Sequence, residues 1–241
     1  MEKKLLQSII ESKKQGKKSL ALLLDPDKLA IDQLQTTVDQ IHKKKVDFLF
    51  VGGSTVNLGV TDVFVKELKK LTDIPTLLFP GDFTQLTNKI DAVLFLSLFS
   101  GRNPEYLIDQ HIKSAEFIKK NNTEIIPTAY LLLDGGTVTA TQKVSNTTPI
   151  SQENTSLILN TAIASEYMGK QLIYLEAGSG AINPVKASTI KMVSEQLSIP
   201  IIVGGGIRSN QQMLEAYNNG ADIVVVGTAF EENNELLNEL L

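Results

Sequence analysis

The chain has 241 residues, a hydrophobic content of 42% and a formal net charge of −4. It contains no cysteine, which excludes disulfides, thiolate metal ligands and cysteine nucleophiles. The acidic balance argues against a nucleic-acid partner, and no apolar run approaches the ~18 residues that a membrane-spanning helix needs. The first residues also lack the pattern of a signal peptide, so we expect a cytoplasmic protein with a single domain over residues 1–241.

The first predicted element is a short amphipathic helix, in which Leu5, Leu6, Ile9 and Ile10 share one face. Short apolar runs follow it, and most of them are followed in turn by sequence with helical spacing of apolar residues. The runs cover residues 20–24, 46–51, 76–79, 92–98, 125–133, 172–175, 201–203 and 223–226. The main helical stretches cover residues 29–41, 62–71, 106–120 and 154–168.

The apolar runs are continuous and β-branched, which is typical of parallel strands that are buried on both faces. Eight such strands alternating with helices predict a closed (β/α)8 barrel, the TIM-barrel fold. An open, doubly wound sheet is the structural alternative. No G-x-G-x-x-G motif follows the first strand, where a dinucleotide-binding fold would place it, and we therefore favour the barrel.

Two intervals depart from the regular pattern. Residues 81–91 leave room for a turn or two of helix at most, so one outer helix between the third and fourth strands is expected to be shortened or missing. Residues 135–151 are polar and rich in Thr, Ser and Asn. A loop of that length in a compact domain is usually functional or mobile, and we expect it to overhang the top of the barrel as a lid.

Active sites of such barrels lie at the C-terminal ends of the strands. The polar side chains predicted there are Asp25, Asp27, Ser54, Asp82, Asp134, Glu176, Ser179 and Thr228, with Arg102 and Tyr174 close by. Both histidines, His42 and His111, fall in predicted helices away from the strand ends and are interpreted as surface or helix-packing residues. Acid–base chemistry is therefore assigned to carboxylates or tyrosine.

Glycine-rich loops follow the last two predicted strands, as Gly204-Gly205-Gly206 and Gly227-Thr228. Phosphate sites on this fold use these two loops, because glycine lets backbone N–H groups approach an anion closely. Tight turns without a ligand are the alternative. We favour phosphate binding because both loops occur in the expected order.

Asp25 and Ser54 form a candidate metal site at the ends of the first two strands. A carboxylate and a hydroxyl are oxygen ligands of the kind that Mg²⁺ prefers. An Asx turn or helix cap around Asp25-Pro26-Asp27 explains the same carboxylate equally well.

Glu176 ends the sixth strand with apolar neighbours on the strand side. Partial burial there is expected to raise its pKa toward a value useful to a general base. A salt-bridged structural acid is the alternative, and no lysine or arginine adjoins it in sequence.

Aromatic residues cluster near the ends of the third to fifth strands, namely Phe79, Phe95, Phe99, Tyr106 and Tyr130. Most of them are expected to be core residues. An apolar wall on one side of the mouth, opposite a phosphate site, would suit a long hydrocarbon substrate.

The motifs at the strand ends resemble the geranylgeranylglyceryl phosphate synthase and PcrB family of prenyltransferases. They run from the first strand to the last and lie at residues 24–28 (LDPDK), 51–54 (VGGS), 79–81 (FPG), 101–104 (GRNP), 127–130 (PTAY), 174–180 (YLEAGSG), 203–208 (VGGGIR) and 226–229 (VGTA). The motifs at 24–28 and 174–180 are the specific ones when found together, whereas the glycine loops alone fit many phosphate-binding barrels.

The resemblance implies an enzyme of lipid biosynthesis. It would transfer a prenyl group from a polyprenyl diphosphate, with geranylgeranyl diphosphate favoured, to the C3 hydroxyl of sn-glycerol 1-phosphate, forming an ether and releasing pyrophosphate. The resemblance also implies a TIM barrel that lacks one outer helix.

The same resemblance assigns roles to individual residues. Asp25 and Ser54 would hold Mg²⁺, while Tyr174 and Glu176 would hold the glycerol hydroxyls, with Glu176 taking the proton of the attacking oxygen. The glycerol phosphate would be bound at the glycine loops, by Gly178, Ser179, Gly180, Gly204, Gly205, Gly206, Gly227 and Thr228.

Two other functions stay open. One is another phosphate-binding barrel enzyme, such as a sugar-phosphate isomerase or aldolase, although those usually need a lysine or a second well-placed acid at a strand end. The other is a non-catalytic protein that binds a prenyl diphosphate. The expected partners are the two small-molecule substrates, with at most transient membrane contact. Apolar residues in the helix at 106–120 predict a homo-oligomer.

Overall fold

A computed structural model describes residues 4–227 and shows a closed barrel of eight parallel strands in chain order. The strands are β1 (Ser19–Leu24), β2 (Phe48–Val51), β3 (Thr76–Leu78), β4 (Ala92–Leu98), β5 (Glu124–Leu132), β6 (Leu172–Glu176), β7 (Ile201–Gly204) and β8 (Ile223–Val226). The predicted (β/α)8 barrel is therefore confirmed. β6 and β7 each extend one residue further than predicted, so Glu176 and Gly204 are paired within the sheet.

The α-helices are α1 (Lys4–Lys14), α2 (Leu34–His42), α3 (Val60–Leu68), α4 (Gln110–Asn121), α5 (Ala140–Ser145), α6 (Thr155–Tyr167), α7 (Ala187–Ser194) and α8 (Asn210–Asn218). A π-helical segment, Glu105–Asp109, leads into α4, and the Asn103 side-chain oxygen accepts the Glu105 N–H at its start at 3.1 Å. Among residues 4–227, none of these helices is long and apolar enough to cross a membrane.

The outer layer has a gap between β3 and β4. In the described chain this connection holds only a single 3-10 turn, Phe83–Gln85. Asp82 caps the turn because its carboxylate accepts the Thr84 N–H at 2.7 Å. The predicted loss of an outer helix is confirmed, and the gap leaves one flank of the barrel open from outside.

The amphipathic helix α1 closes the N-terminal end of the barrel, opposite the strand ends that carry the candidate site. Leu6 and Ile9 are buried and pack with residues of the barrel interior, including Phe48 at the start of β2. The Glu124 carboxylate accepts the N–H groups of Leu5 and Leu6 at 3.1 and 2.9 Å. A negative charge at a helix N-terminus is stabilising, so this contact anchors α1.

Replacing Glu124 by alanine is expected to lower the free energy of unfolding by about 1–3 kcal/mol, because the first N–H groups of α1 lose a buried, charged acceptor. Urea unfolding followed by circular dichroism measures this change. Glu116 is exposed on α4, and Glu116→Ala is the matched control, expected to stay within about 0.5 kcal/mol of the parent. Equal stabilities of the two variants would show that Glu124 does not anchor α1.

Candidate active site

A polar cavity lies at the C-terminal end of the barrel, where most of the predicted site residues meet. Those that line it are Asp25, Ser54, Tyr174, Glu176, Gly178, Ser179, Gly180, Gly205, Gly206 and Gly227. Thr228 lies outside the described residues. Gly204 is within the described part of the chain but does not line the cavity.

Glu176 is the last residue of β6 and is only 5% exposed. Its carboxylate accepts the Gly178 N–H at 2.7 Å and a hydrogen bond from the Tyr174 hydroxyl. Burial raises the pKa of Glu176 from 4.5 to about 7, and these two hydrogen bonds oppose the rise. The surroundings that set the pKa of Glu176 are burial, the Tyr174 hydroxyl and the Gly178 N–H, and not the charge of a lysine or arginine, which argues against a salt-bridged structural acid. A carboxyl that ionises near neutral pH is suited to proton transfer.

Gly204 and Gly205 have no side chains, and the polar groups of Tyr174 and Glu176 on β6 occupy the space where β-carbons would lie. A β-carbon on Gly204 would lie 2.4 Å from the Tyr174 hydroxyl oxygen, and one on Gly205 would lie 2.4 Å from Glu176 Oε1. Gly205 also has a φ of +81°, which side chains rarely allow. We therefore reassign Gly204: because β7 runs one residue further than predicted, this glycine is buried beneath Tyr174 instead of facing a phosphate.

Three aromatic rings form the floor where the polar cavity ends. Tyr174 is fully buried, stacks on Phe79 with ring centroids 5.2 Å apart, and meets Tyr130 edge-on at 5.4 Å. Burial, then the nearby Glu176 carboxylate, raises the pKa of the Tyr174 hydroxyl well above its usual value. The hydroxyl therefore keeps its proton at neutral pH and stays a hydrogen-bond donor.

Two cations that the sequence analysis did not select also line the polar cavity. Arg208 Nη1 donates to the Ala181 carbonyl at 2.8 Å, which holds the guanidinium beside the loop at 178–180. Lys28 Nζ lies 3.5 Å from Asp25 Oδ2. Positive charge next to glycine-rich backbone favours an anion here. Arg208 belongs to the motif at 203–208 and Lys28 to the motif at 24–28. Their positions beside the strand ends could therefore have indicated from sequence that both cations lie at the site.

Asp25 and Ser54 lie at neighbouring strand ends. A β-carbon on Gly53 would lie 3.0 Å from Asp25 Oδ2, so the missing side chain lets this carboxylate rest against the backbone next to Ser54. The Asp27 N–H donates to Asp25 Oδ1 at 3.1 Å, so the Asx turn that was the alternative is present as well. Such a turn fixes the carboxylate without occupying all of its acceptor positions.

This donor set fits Mg²⁺ in one particular way. In residues 4–227 there is no cluster of three or more His, Cys, Asp or Glu side chains that could hold a metal, so Asp25 would act without a complete set of protein ligands. Mg²⁺ commonly keeps several waters and binds through one or two carboxylates together with substrate phosphates. Asp25 and Ser54 therefore suit a cation that arrives with a diphosphate.

Three other candidate acids have structural contacts instead. Asp27 accepts the backbone and side-chain N–H groups of Asn57, each at 3.2 Å from Oδ2. Asp82 caps the 3-10 turn after β3. Asp134 accepts the Gly136 N–H at 2.9 Å. Of the candidate acids, Asp25 and Glu176 are the two that line the polar cavity.

An apolar groove opens beside the polar cavity, on the flank where the outer helix is missing. Its wall includes Phe79, Phe83, Leu86, Phe95, Leu98, Tyr106, Tyr130 and Val144. Because its lining is mainly apolar and aromatic, the groove suits an extended hydrocarbon. It meets the polar cavity at Gly53, Ser54, Phe79, Tyr130 and Thr141.

One histidine lies elsewhere than predicted. His111, interpreted as a packing residue away from the site, lines the groove with its ring edge-on to Phe95 at 4.4 Å. Burial, then the charge of Lys170, lowers the pKa of His111, so the ring is neutral at neutral pH. Phe99 does not line the groove and packs beneath Lys170 instead. His42 lies on α2, away from both cavities, as predicted.

The segment at 135–151 contains the short helix α5. Thr139 caps this helix by accepting the Gln142 N–H at 3.2 Å. Thr141 in its first turn lines both cavities, so the segment lies over their junction, as the predicted overhang requires. Its closing as a lid stays a prediction.

Fold and site together define a (β/α)8 barrel in which a glycine-lined polar cavity with a buried acid opens onto an apolar groove. The sequence model of the PcrB family matches residues 11–241. The chain belongs to the PcrB family.

Named relatives agree with this membership. The geranylgeranylglyceryl phosphate synthase of Zunongwangia profunda is 51% identical over 228 residues, which are 95% of this chain and 97% of the relative. That of Flavobacterium johnsoniae is 48% identical, over 97% of this chain and 98% of its own. A crystal structure of (S)-3-O-geranylgeranylglyceryl phosphate synthase from Thermoplasma acidophilum, in complex with its substrate sn-glycerol-1-phosphate, matches with a TM-score of 0.91 and 30% identity, over 98% of this chain and 95% of that one.

Proposed function

We propose that this protein transfers a prenyl group, geranylgeranyl in the first instance, from its diphosphate to the C3 hydroxyl of sn-glycerol 1-phosphate. The observation that carries the proposal is the junction itself, where a buried acid and glycine loops face an apolar groove. The named relatives support the donor, and the substrate bound to the Thermoplasma enzyme supports the acceptor.

On the acceptor side, Glu176 would take the proton of the attacking hydroxyl, and Tyr174 would help to hold the glycerol. Because burial raises the pKa of Glu176 to about 7, its carboxyl can take up and release a proton near neutral pH. The loops at 178–180, 205–206 and 227 would bind the phosphate through backbone N–H groups, with Arg208 beside them. Together these contacts would place one hydroxyl at the mouth of the groove.

On the donor side, Asp25 and Ser54 would hold the diphosphate through Mg²⁺, with the hydrocarbon in the groove. When bound, the cation neutralises the charge that develops on the departing diphosphate. The allylic C–O bond breaks with its electron pair on the diphosphate, and the glycerol oxygen bonds to the same carbon. The hydroxyl proton goes to Glu176, so the products are an ether and pyrophosphate.

The residues of the cavity favour this reaction over the two alternatives. An aldolase or isomerase usually needs a free lysine or a second acid beside the first, whereas the lysine here, Lys28, is paired with Asp25. A protein that only binds a prenyl diphosphate has no need of a buried acid such as Glu176 on the side away from the groove.

The function is tested with purified protein, Mg²⁺, geranylgeranyl diphosphate and either sn-glycerol 1-phosphate or its sn-3 isomer. We expect a prenylglyceryl phosphate and one pyrophosphate per ether with the sn-1 isomer, and little product with the other. A chelator is the control and should stop the reaction. Absence of the ether, or equal use of both isomers, would overturn the proposal.

We further propose a homo-oligomer that covers the outer face of the α4 region. Ile108 and Ile112, four residues apart, are 56% and 67% exposed. Removing such side chains from water stabilises association by ~1.5–3 kcal/mol each at full burial. Light scattering after size exclusion should give a multiple of the chain mass, reduced in Ile112→Asp. A monomeric parent protein would contradict this.

A cytoplasmic location with transient membrane contact stays a prediction.

A further inference from the structure

Helix α5 covers the place where the two cavities meet, and Thr141 is its polar contact with the strand ends. The Thr141 hydroxyl lies 3.2 Å from the Ser54 hydroxyl. Ser54 follows β2 in the chain, and Tyr130 on β5 lines the same junction of the two cavities as Thr141. One side chain therefore joins α5 to the strand ends at the centre of the barrel mouth.

The rest of α5 is held at both ends by neighbours from the two cavities. On the groove side, Asn103 Nδ2 donates to the Ser145 carbonyl at 2.7 Å, and the Tyr106 hydroxyl donates to the Val144 carbonyl at 3.3 Å. On the other side, Thr139 packs against the loop at 178–180 so closely that a β-carbon on Gly178 would lie 2.1 Å from the Thr139 methyl carbon. Thr141 is therefore the contact over the centre, between two fastened ends.

A helix of this length does not hold its position unaided. Isolated helices shorter than about 12–15 residues are marginal in water, and α5 has six residues. Its place over the junction therefore depends on side-chain contacts such as those of Thr141. The surface that it covers includes Tyr130, which is buried.

We propose that Thr141 is a positioning residue which keeps α5 closed over the junction and so keeps water from the reacting carbon. This inference rests on the proposed prenyl transfer. If water reaches the allylic carbon, the C–O bond breaks with its electron pair on the diphosphate, and the water oxygen bonds to the carbon and loses a proton to solvent. The products are then a prenyl alcohol and pyrophosphate, with no ether. Water exclusion of this kind is what closing segments supply in other active sites.

The variants that test this are Thr141→Val, which keeps the shape and removes the hydroxyl, and Thr141→Ser, which keeps the hydroxyl. The readout is the ratio of prenyl alcohol to ether formed, which is the excess of pyrophosphate released over ether per ether. We expect Thr141→Val to raise that ratio roughly threefold to tenfold, since a lost hydrogen bond of ordinary strength changes the open population by such a factor. Thr141→Ser should keep the low alcohol-to-ether ratio of the parent protein.

A purely structural role for Thr141 would lower both products together and leave the ratio unchanged, so an unchanged ratio in Thr141→Val overturns the proposal. Hydrogen exchange of the α5 amides gives a second readout that needs no turnover. Exchange there should quicken in Thr141→Val and not in Thr141→Ser, and equal exchange in both would also overturn it. If the parent protein makes no ether, the proposed function fails, whereas the exchange comparison still decides whether Thr141 holds α5.

Discussion

Replacing Glu176 by glutamine is expected to lower kcat by about 10²- to 10⁴-fold, the usual contribution of a general base, while sn-glycerol 1-phosphate still binds. Glutamine keeps the size of the side chain but accepts no proton. The proposed phosphate contacts come from other residues that line the polar cavity, at the loops of β6, β7 and β8. Steady-state kinetics and calorimetry measure the two quantities separately.

The exposed Glu116 supplies the matched control, since Glu116→Gln makes the same chemical change on the outer face of α4. That variant should turn over at the parent rate. A rate for Glu176→Gln within a few-fold of the control would remove Glu176 as the base.

The pKa of Glu176 gives the same prediction a pH dependence. Because burial raises this pKa to about 7, the base is protonated below that pH and inactive. The value of kcat/KM for the parent protein should therefore fall about tenfold per pH unit below 7 and level off above it. A profile with its break near pH 4.5, the ordinary glutamate value, would contradict the burial argument.

The second large effect is expected for Asp25→Asn, which should lose about 10²- to 10³-fold in rate, because metal stabilisation of a leaving diphosphate amounts to several kcal/mol. Asparagine replaces the Asp25 carboxylate by an amide, and among the described residues that line the polar cavity no other carboxylate lies beside Ser54. Mg²⁺ titrations at fixed donor concentration measure the change, and the activating Mg²⁺ concentration should rise.

Asp27→Asn is the control for this change. Asp27 lies two residues along the chain and binds Asn57 at the surface. Its loss should leave the Mg²⁺ requirement as it is. If the two variants showed the same Mg²⁺ dependence, the carboxylate of Asp25 would have no special part in metal binding.

Much of the fold follows from local sequence. The strands are short β-branched runs with glycine or polar residues at their ends, and these local features predict a parallel barrel with its site at one end. The short interval at 81–91 predicted the missing helix because too few residues were present to build one. The apolar-flanked Glu176 was predicted to be buried for a similar local reason.

The remaining features depend on neighbours that are distant in the chain. His111 has the spacing of a packing residue on α4, and it faces a groove only because no helix fills the gap between β3 and β4. Gly204 has the sequence of a loop glycine, yet its pairing with Glu176 continues the sheet by one residue. α5 is too short for a periodic pattern, and the contact of Thr141 with Ser54 joins residues 87 positions apart.

The central claim is that one acid serves each substrate, Asp25 the diphosphate donor and Glu176 the glycerol acceptor. Calorimetric titration of each substrate alone, with Mg²⁺ present, into the parent protein, Asp25→Asn and Glu176→Gln tests it most directly. We predict that Asp25→Asn weakens donor binding at least about tenfold, or 1.4 kcal/mol, and leaves the acceptor Kd unchanged. Glu176→Gln should leave the donor Kd unchanged. Loss of acceptor binding in Asp25→Asn, or of donor binding in Glu176→Gln, would contradict the division.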